Sequence, residues 1–453
     1  MSAREVEALV IGAGAAGLGA AHTLARAGRE LLVLEARERP GGVMQTDERD
    51  GFRFERGPNT FRLPAPLLEL LRGVGLEAAL EPAQPASRER FLLGARGLVR
   101  IPLGPLGLVA TPLLSARGKL RLLKEPFVRR GDGAGESVAQ FARRRLGAEV
   151  AERLVAPFLT GVYAGDEEQL GAGAVFPGLV RFEQARGSIA LGALTGALAR
   201  TPRGLAGTWS ARGGLGRLAA RLGGALGDAL VCEAPVRELQ RDGARWRAVL
   251  ADEEIAARSL VLAVDAASAA PLLATLAPRA AEIAASIRSV PLASVSLALA
   301  PGGLRRAPRG FGFLVPRDQG LDVLGVLFMS QLFSHRAPRG HELGTALIGG
   351  ARWPAVLEAS DAEIGERVIA GLDRALGVLS PPRVLGIARW RAAVPQPGVD
   401  HAARIRELRT LLDGSPPLAV AGGWLDGVAV PDAFASGIAA AESLLGSSGT
   451  LVD

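Results

Sequence analysis

Three observations predict an α/β chain in which a parallel sheet is interrupted by a helical insertion and by a mixed-sheet α+β domain. They are a strand–helix–strand unit at the start, two later returns of the same strand texture, and a change of texture between them. In the opening unit, residues 8–11 read as a buried strand, 15–27 as a helix with Leu18, Ala21 and Leu24 on one face, and 31–34 as the next strand. Gly12, Gly14 and Gly17 carry the GxGxxG spacing between the first strand and the helix. One glycine makes the tight turn, one lets backbone approach a pyrophosphate, and one packs helix against strand. The phosphates would then meet the helix N-terminus at Ala15 and Ala16. Glu35 ends the second strand eighteen residues beyond Gly17, where a carboxylate accepts hydrogen bonds from an adenosine ribose and repels a 2'-phosphate. These features define a Rossmann-like dinucleotide-binding sheet.

The run continues through Ala36 to Arg39-Pro40-Gly41-Gly42. This Glu-then-RxGG continuation resembles the flavoproteins that include amine oxidases, phytoene desaturases and protoporphyrinogen oxidases. It implies FAD, with a second glycine turn beside the pyrophosphate. Residues 229–239 read as a strand entering a bend, with Cys232 in its core and Val236 near the adenine; 246–250 and 260–264 read as further strands. The last return, 418–430, runs a strand into Gly422-Gly423, and a helix over 432–445 follows. Backbone N–H groups and a helix N-terminus there would face the flavin end, where negative charge develops on reduction. The predicted FAD-binding domain is therefore discontinuous, comprising 1–60, 205–290 and 416–450, with a disordered tail over 446–453.

Between the returns, 84–204 reads as helical. Residues 138–146 and 148–158 show apolar positions at helical spacing, with Arg143-Arg144-Arg145 on a polar face. Residues 61–83 and 291–415, with strands at 293–300 and 345–349, read as a mixed-sheet substrate domain. Within the helical insertion, 103–115 carries no charge and is too short and proline-broken to span a bilayer. The following stretch, 117–130, sets six basic residues against the single acidic Glu125. An apolar stretch with a basic skirt suits the surface of an anionic membrane; a solvated basic face beside a buried loop is the alternative.

Composition narrows the function. The 453 residues are 48% hydrophobic and 22% charged, a globular balance, with a net charge of +7. Aromatic residues make up only 4%, too few to stack nucleic acid, so no nucleic-acid partner is expected. A single cysteine forbids an intramolecular disulfide and suits a reducing compartment. His22, His335, His341 and His401 show no metal-ligand spacing, and no metal is expected. Arg4, Glu5 and Glu7 interrupt any apolar leader, so a cytoplasmic protein is expected, peripheral to the membrane if the basic skirt binds lipid.

Several segments are similar to the protoporphyrinogen oxidase family along essentially the whole chain. They are Phe54-Glu55-Arg56-Gly57-Pro58-Asn59-Thr60-Phe61, Arg90-Phe91-Leu92, Phe141 to Gly147, Thr160-Gly161-Val162-Tyr163-Ala164-Gly165-Asp166, Arg212-Gly213-Gly214-Leu215, and Gly310-Phe311-Gly312-Phe313-Leu314-Val315-Pro316. GVYAGD and GFGFLVP discriminate best, because amine oxidases and desaturases lack them. The resemblance implies an FAD-dependent oxidation of a porphyrinogen by molecular oxygen. It assigns Arg90 to a propionate, Leu314 and Phe328 to the walls of the macrocycle site, Asn59 to a polar contact, and Gly161 to a carbonyl facing the reacting edge. To the cofactor it assigns Gly57, Pro58, Asn59, Trp390, Gly427, Val428 and Ala429 beside the residues already named. A bridging methylene would give hydride to flavin N5 and a pyrrole N–H would release a proton, over three two-electron rounds with peroxide as by-product. A homodimer and hand-over of product to a ferrochelatase are further implications.

The chain departs from the family pattern at Pro397, where an aromatic is usual, and at Pro431-Asp432-Ala433, where Asn-Asp-Cys is usual. Two other readings stand beside the first: a coproporphyrinogen III oxidase of the same family, and a non-catalytic FAD- or porphyrin-binding relative.

Overall fold

The computed structural model describes residues 4–102, 104–131, 135–198, 204–306 and 308–447. Its first large sheet has the strand order Leu230–Val231, Leu31–Leu34, Arg4–Ile11, Glu254–Leu262, Arg245–Val249, Glu238–Asp242. Leu418–Val420 also pairs with Glu254–Leu262, in parallel, setting Leu262 opposite Val420. Arg4–Ile11 runs parallel to both of its neighbours, so Val10 faces Val33 on one side and Val261 on the other. Alternation along that strand feeds two cores. Ala8 and Val10 pack under the helices Ala15–Arg26 and Val430–Ser447, while Leu9 and Ile11 pack on Ala266–Leu273, Pro278–Ser286 and His401–Leu412. Gly437 lets the two helices of the first face cross, because a Cβ there would overlap Ala16 O.

The second sheet has the order Arg383–Pro395, Ser289–Leu299, Glu342–Gly349, Val323–Leu327, Gly312–Leu314, Arg90–Gly94, Gly97–Arg100. Its pairings are antiparallel except between Gly312–Leu314 and Arg90–Gly94. The helix Asp361–Leu376 covers one face through Ile364, Val368 and Leu372. A buried staple joins this half to the first: Arg336 donates to Glu55 at 2.7 Å and to Ser210 Oγ at 2.8 Å. Glu55 also accepts Leu215 N–H at 3.1 Å and the Thr46 hydroxyl at 2.6 Å.

Five expectations change. The text from residue 84 does not open as helix: Arg90–Gly94 and Gly97–Arg100 form a hairpin on the second sheet, fixed by a non-local parallel partner that local spacing does not reveal. Phe61–Leu63 and Leu80–Pro82, placed above with the substrate domain, pair with Leu205–Ala211, within the stretch assigned to the cofactor domain. The arginine run on Val138–Leu146 is not wholly on a polar face. Three consecutive residues fan across about 200° of a helix, and Arg145 turns inward, fully buried against Glu125 and Glu183. Cys232 lies just past the strand Leu230–Val231 and is half-buried, not a core residue. Gly446 and Ser447, read above as the start of the tail, prolong the helix Val430–Ser447; the tail beyond 447 lies outside the described residues, as does Leu103 of the uncharged segment.

Candidate active site

The cofactor end is built where the first strand stops. Gly12 N–H reaches Leu34 O at 2.7 Å, and its φ of +97° suits only glycine. A Cβ on Gly17 would overlap Gly12 O, so this glycine sets the close approach of helix to turn. Gly14 differs: a Cβ there would meet nothing within 4 Å, and the helix after it has no side-chain cap. Gly14 therefore borders open space at an uncapped helix N-terminus, as a pyrophosphate cradle requires. The second glycine turn closes over the first through Gly41 N–H to Ala13 O at 2.7 Å, and a Cβ on Gly42 would stand 3.3 Å from Gly14 Cα. Arg39 binds this turn by donating to the carbonyls of Pro40, Gly42 and Met44 at 3.3 to 3.5 Å.

Glu35 is buried and its carboxylate accepts Ala13 N–H at 2.7 Å and Arg37 N–H at 3.0 Å. Two backbone donors aim it across the Gly12 turn and leave lone pairs for ribose hydroxyls. Ala36, next along, is exposed. Ala234 N–H reaches Glu35 O at 2.9 Å, which brings the bend carrying the half-buried Val236 to this end of the site.

Three segments carry the residues proposed for the flavin end. Gly57 packs so tightly on Val43 that a Cβ would overlap its carbonyl oxygen, and Trp390 Nε1 donates to Arg56 O at 2.8 Å. Between them they hold Pro58 and Asn59. Asn59 is buried, donates only to Gly57 O, and leaves Oδ1 without a partner. Such an orphaned acceptor is costly unless a ligand donor meets it. The Gly422 to Ala429 loop is the third segment. Gly422 N–H reaches Ser436 Oγ at 3.1 Å, and Asp432 Oδ2 accepts Ala429 N–H at 3.1 Å, which closes the turn over Gly427. Gly423 lies within that turn, and a Cβ on it would stand 3.4 Å from Gly427 O.

Val428, from this loop, packs with Val138, Leu159, Tyr163 and Val394. Tyr163 ends the helix Ala156–Tyr163, and Ala164 follows with a φ of +49°, held by Ala351 N–H to Ala164 O at 2.8 Å. Burial, then the nearby Asp432 carboxylate, pushes the Tyr163 phenol up, so it stays neutral. Gln396 Nε2 donates to Tyr163 O at 2.9 Å, and Pro397 O accepts Gly171 N–H at 2.9 Å. The proline departure thus serves as a backbone acceptor for the loop before Ala172–Val175.

On the same helix Gly161 meets Leu314: a Cβ on the glycine would overlap Leu314 Cδ2. Arg90 opens the neighbouring strand, in register with Gly312, and its guanidinium lies 4.6 Å from the Phe311 ring centroid. Arg90 is open to water on one side, yet desolvation and then Arg62 pull it below the usual arginine range, and it remains charged. Phe328 is placed differently. It is 3% exposed and packs with Phe313 and Val326 in the core of the second sheet, so it supports the wall behind Leu314 and is not itself an open face. Arg62 was missed in the sequence; its signal was the alternation Phe61-Arg62-Leu63, which turns one cation out of a short strand between two buried residues. Among the described residues no group of three or more His, Cys, Asp or Glu could hold a metal ion.

The chain belongs to the flavin-containing amine oxidoreductase family, whose model matches residues 15–445, and its cofactor is FAD. Within that family it is similar to human protoporphyrinogen oxidase, 33% identical over 478 residues, covering 97% of this chain and 98% of that protein. It is also 29% identical to Coproporphyrinogen III oxidase of Bacillus subtilis (strain 168), covering 98% and 99%. A solved structure from Exiguobacterium sp. 255-15 superposes with a TM-score of 0.79 at 27% identity, covering 98% of this chain and 99% of that one.

Proposed function

We propose that the chain oxidises protoporphyrinogen IX to protoporphyrin IX in haem biosynthesis, in three two-electron steps with oxygen reduced to peroxide. The observation that carries this reading is the seating of the GVYAGD helix on the GFGFLVP strand at Gly161 and Leu314, beside the Val428 loop. Bound FAD supplies the two-electron acceptor; the chain's own residues bind, orient and dry the substrate. Leu314 offers an apolar wall to the macrocycle, and Arg90 meets a propionate through a charge-assisted bond. Asn59 Oδ1 is the buried acceptor for a cofactor or substrate N–H or O–H. Over the three steps three hydride equivalents leave bridging methylenes and three protons follow, two of them net from pyrrole nitrogens and one from the fourth methylene by imine–enamine tautomerisation, so no cluster of general bases is needed.

A second reading, oxidation of coproporphyrinogen III, is favoured by one observation: Arg62 places a second cation close enough to Arg90 to depress it. The FAD-loaded protein supplied aerobically with each porphyrinogen separates them by porphyrin fluorescence. The first reading expects the larger kcat/KM for protoporphyrinogen, the second for coproporphyrinogen, and turnover of neither overturns both.

We also propose peripheral contact with an anionic membrane from the cytoplasmic side. Among the described residues no helix is long and apolar enough to cross a bilayer. Phe127 is 89% exposed, Leu123 66% and Leu120 57%, and they stand among Arg117, Lys119, Lys124 and Arg129. Exposed apolar side chains in a basic surround suit insertion at a lipid headgroup layer.

A further inference from the structure

We propose that the chain binds a small soluble polyanion, carrying two or more phosphate or carboxylate groups, in a guanidinium-lined cavity at the junction of its two halves. The cavity has a volume of about 600 Å³, and Arg53, Arg212, Arg217, Arg221, His335 and Glu81 line it. The rest of the wall is glycine and alanine. Four arginines thus line the space against one acid, Glu81, which lies 3.4 Å from His335 Nε2. Arg53 is engaged by Glu48 at 2.7 Å. Among the described residues, no carboxylate lies within ion-pair distance of Arg212, Arg217 or Arg221. Arg217 and Arg212 act on Glu48 and Glu81 only at longer range, so the space keeps a net positive charge that a bound anion would neutralise.

Side chains, not the helix start, would do the binding. At the head of Leu215–Gly224 the backbone donors are already used: Gly214 N–H on Ala211 O at 2.9 Å, Leu215 N–H on Glu55 at 3.1 Å, and Gly216 N–H on Thr46 at 2.9 Å. The Arg217 stem lies across Gly213, where a Cβ would stand 2.7 Å from its Cδ, which fixes the direction of that guanidinium. The helix turns its other face to the cofactor, since a Cβ on Gly41 would stand 2.6 Å from Ala219 Cβ. The cavity is thus a second site, separate from the flavin.

Its walls select the ligand class. A volume in the small-molecule range exceeds one phosphate, so several anionic groups fit. No Phe, Tyr or Trp is present to stack a ring, and no large aliphatic side chain is present to seat an acyl tail. The ligand is accordingly a free polyanion and not a lipid headgroup. His335 adjoins Arg336, whose buried guanidinium clamps Glu55, so a bound anion would bridge the Arg212 to Arg221 segment and the second half of the molecule. Burial, then Arg336, Arg53 and Arg212, hold His335 below the ordinary imidazole range, and a bound anion would raise it.

Calorimetric titration of the FAD-loaded protein with inorganic pyrophosphate and with citrate tests the proposal. Saturable binding of at least one of them, one per chain, is expected. Arg212→Gln and Arg221→Glu, both at exposed positions, should weaken it about tenfold or more while leaving flavin absorbance and basal turnover unchanged. Absence of saturable binding with both probes overturns the proposal, as does equal affinity in both variants. Arginine-dependent binding only to vesicles containing phosphatidic acid would overturn the assignment to a soluble ligand.

Discussion

Gly161 and Leu314 meet so closely that the helix Ala156–Tyr163 and the strand Gly312–Leu314 leave no room for a methyl group. A Cβ on Gly161 would overlap Leu314 Cδ2 and stand 3.2 Å from Cδ1. Overpacking of this kind costs about 1–3 kcal/mol. Gly161→Val should therefore lower kcat/KM for the porphyrinogen roughly tenfold or more with FAD still bound, and Leu314→Ala in the same chain should restore part of the loss. An unchanged kcat/KM in the single variant would separate this contact from catalysis.

Arg90→Ala removes a charge-assisted contact, worth about 1.5–3 kcal/mol when made. KM for protoporphyrinogen should rise roughly tenfold or more without change in the flavin spectrum. Arg62→Ala should raise KM less for the dicarboxylate than for the tetracarboxylate. Equal effects on the two substrates would remove Arg62 from substrate recognition.

Glu35 holds two backbone N–H groups beside the Gly12 turn, where we place the ribose end of the cofactor. Glu35→Ala leaves the Ala13 donor unpaired and removes the ribose acceptor. The FAD dissociation constant, read by flavin fluorescence on the apoprotein, should rise about tenfold or more. An unchanged constant would contradict the assignment.

The helical insertion is locked by acids that oppose their own burial. Burial alone would raise the Glu125 carboxyl, but hydrogen bonds from Ser188, Ile189 N–H and Arg145 hold it below its ordinary value. Glu183 is likewise held down, against burial, by Arg144 and Gly131 N–H. A depressed folded-state value means the stabilisation is complete above the unfolded value of about 4.3 and is lost as pH falls through the folded value. Limited proteolysis between residues 117 and 190 should therefore accelerate below about pH 4. Glu125→Ala, which strands the buried Arg145, should cost about 3–5 kcal/mol and expose the same sites at neutral pH. Resistance in both conditions would contradict the lock.

The opening fingerprint was the most legible part of the site. Gly17 is constrained by Gly12 O and Glu35 by Ala13 and Arg37 N–H, all near in sequence, and the strand–helix periods around them are local. Arg145 was misread because its partners Glu125 and Glu183 lie 20 and 38 residues away, and spacing on one helix cannot show what faces it. The Arg90 hairpin was hidden for the same reason, since its parallel partner begins at Gly312. Phe328 shows the converse limit: a buried support and an open wall are both phenylalanine, and only packing tells them apart.

Membrane contact is tested by flotation with vesicles of anionic or zwitterionic lipid. Phe127→Glu together with Leu123→Glu should abolish binding to the anionic vesicles and leave turnover of soluble substrate intact. Binding that ignores lipid charge, or survives the double variant, would contradict this face as the docking surface.

FAD, the Gly161–Leu314 wall and Arg90 together make up the protoporphyrinogen site that we propose. Anaerobic mixing of the FAD-loaded protein with protoporphyrinogen, followed by flavin absorbance, tests it most directly. Bleaching of the oxidised flavin with appearance of porphyrin product, slowed in Gly161→Val and weakened in Arg90→Ala, is the predicted result. A flavin that stays oxidised in the presence of saturating protoporphyrinogen would contradict it.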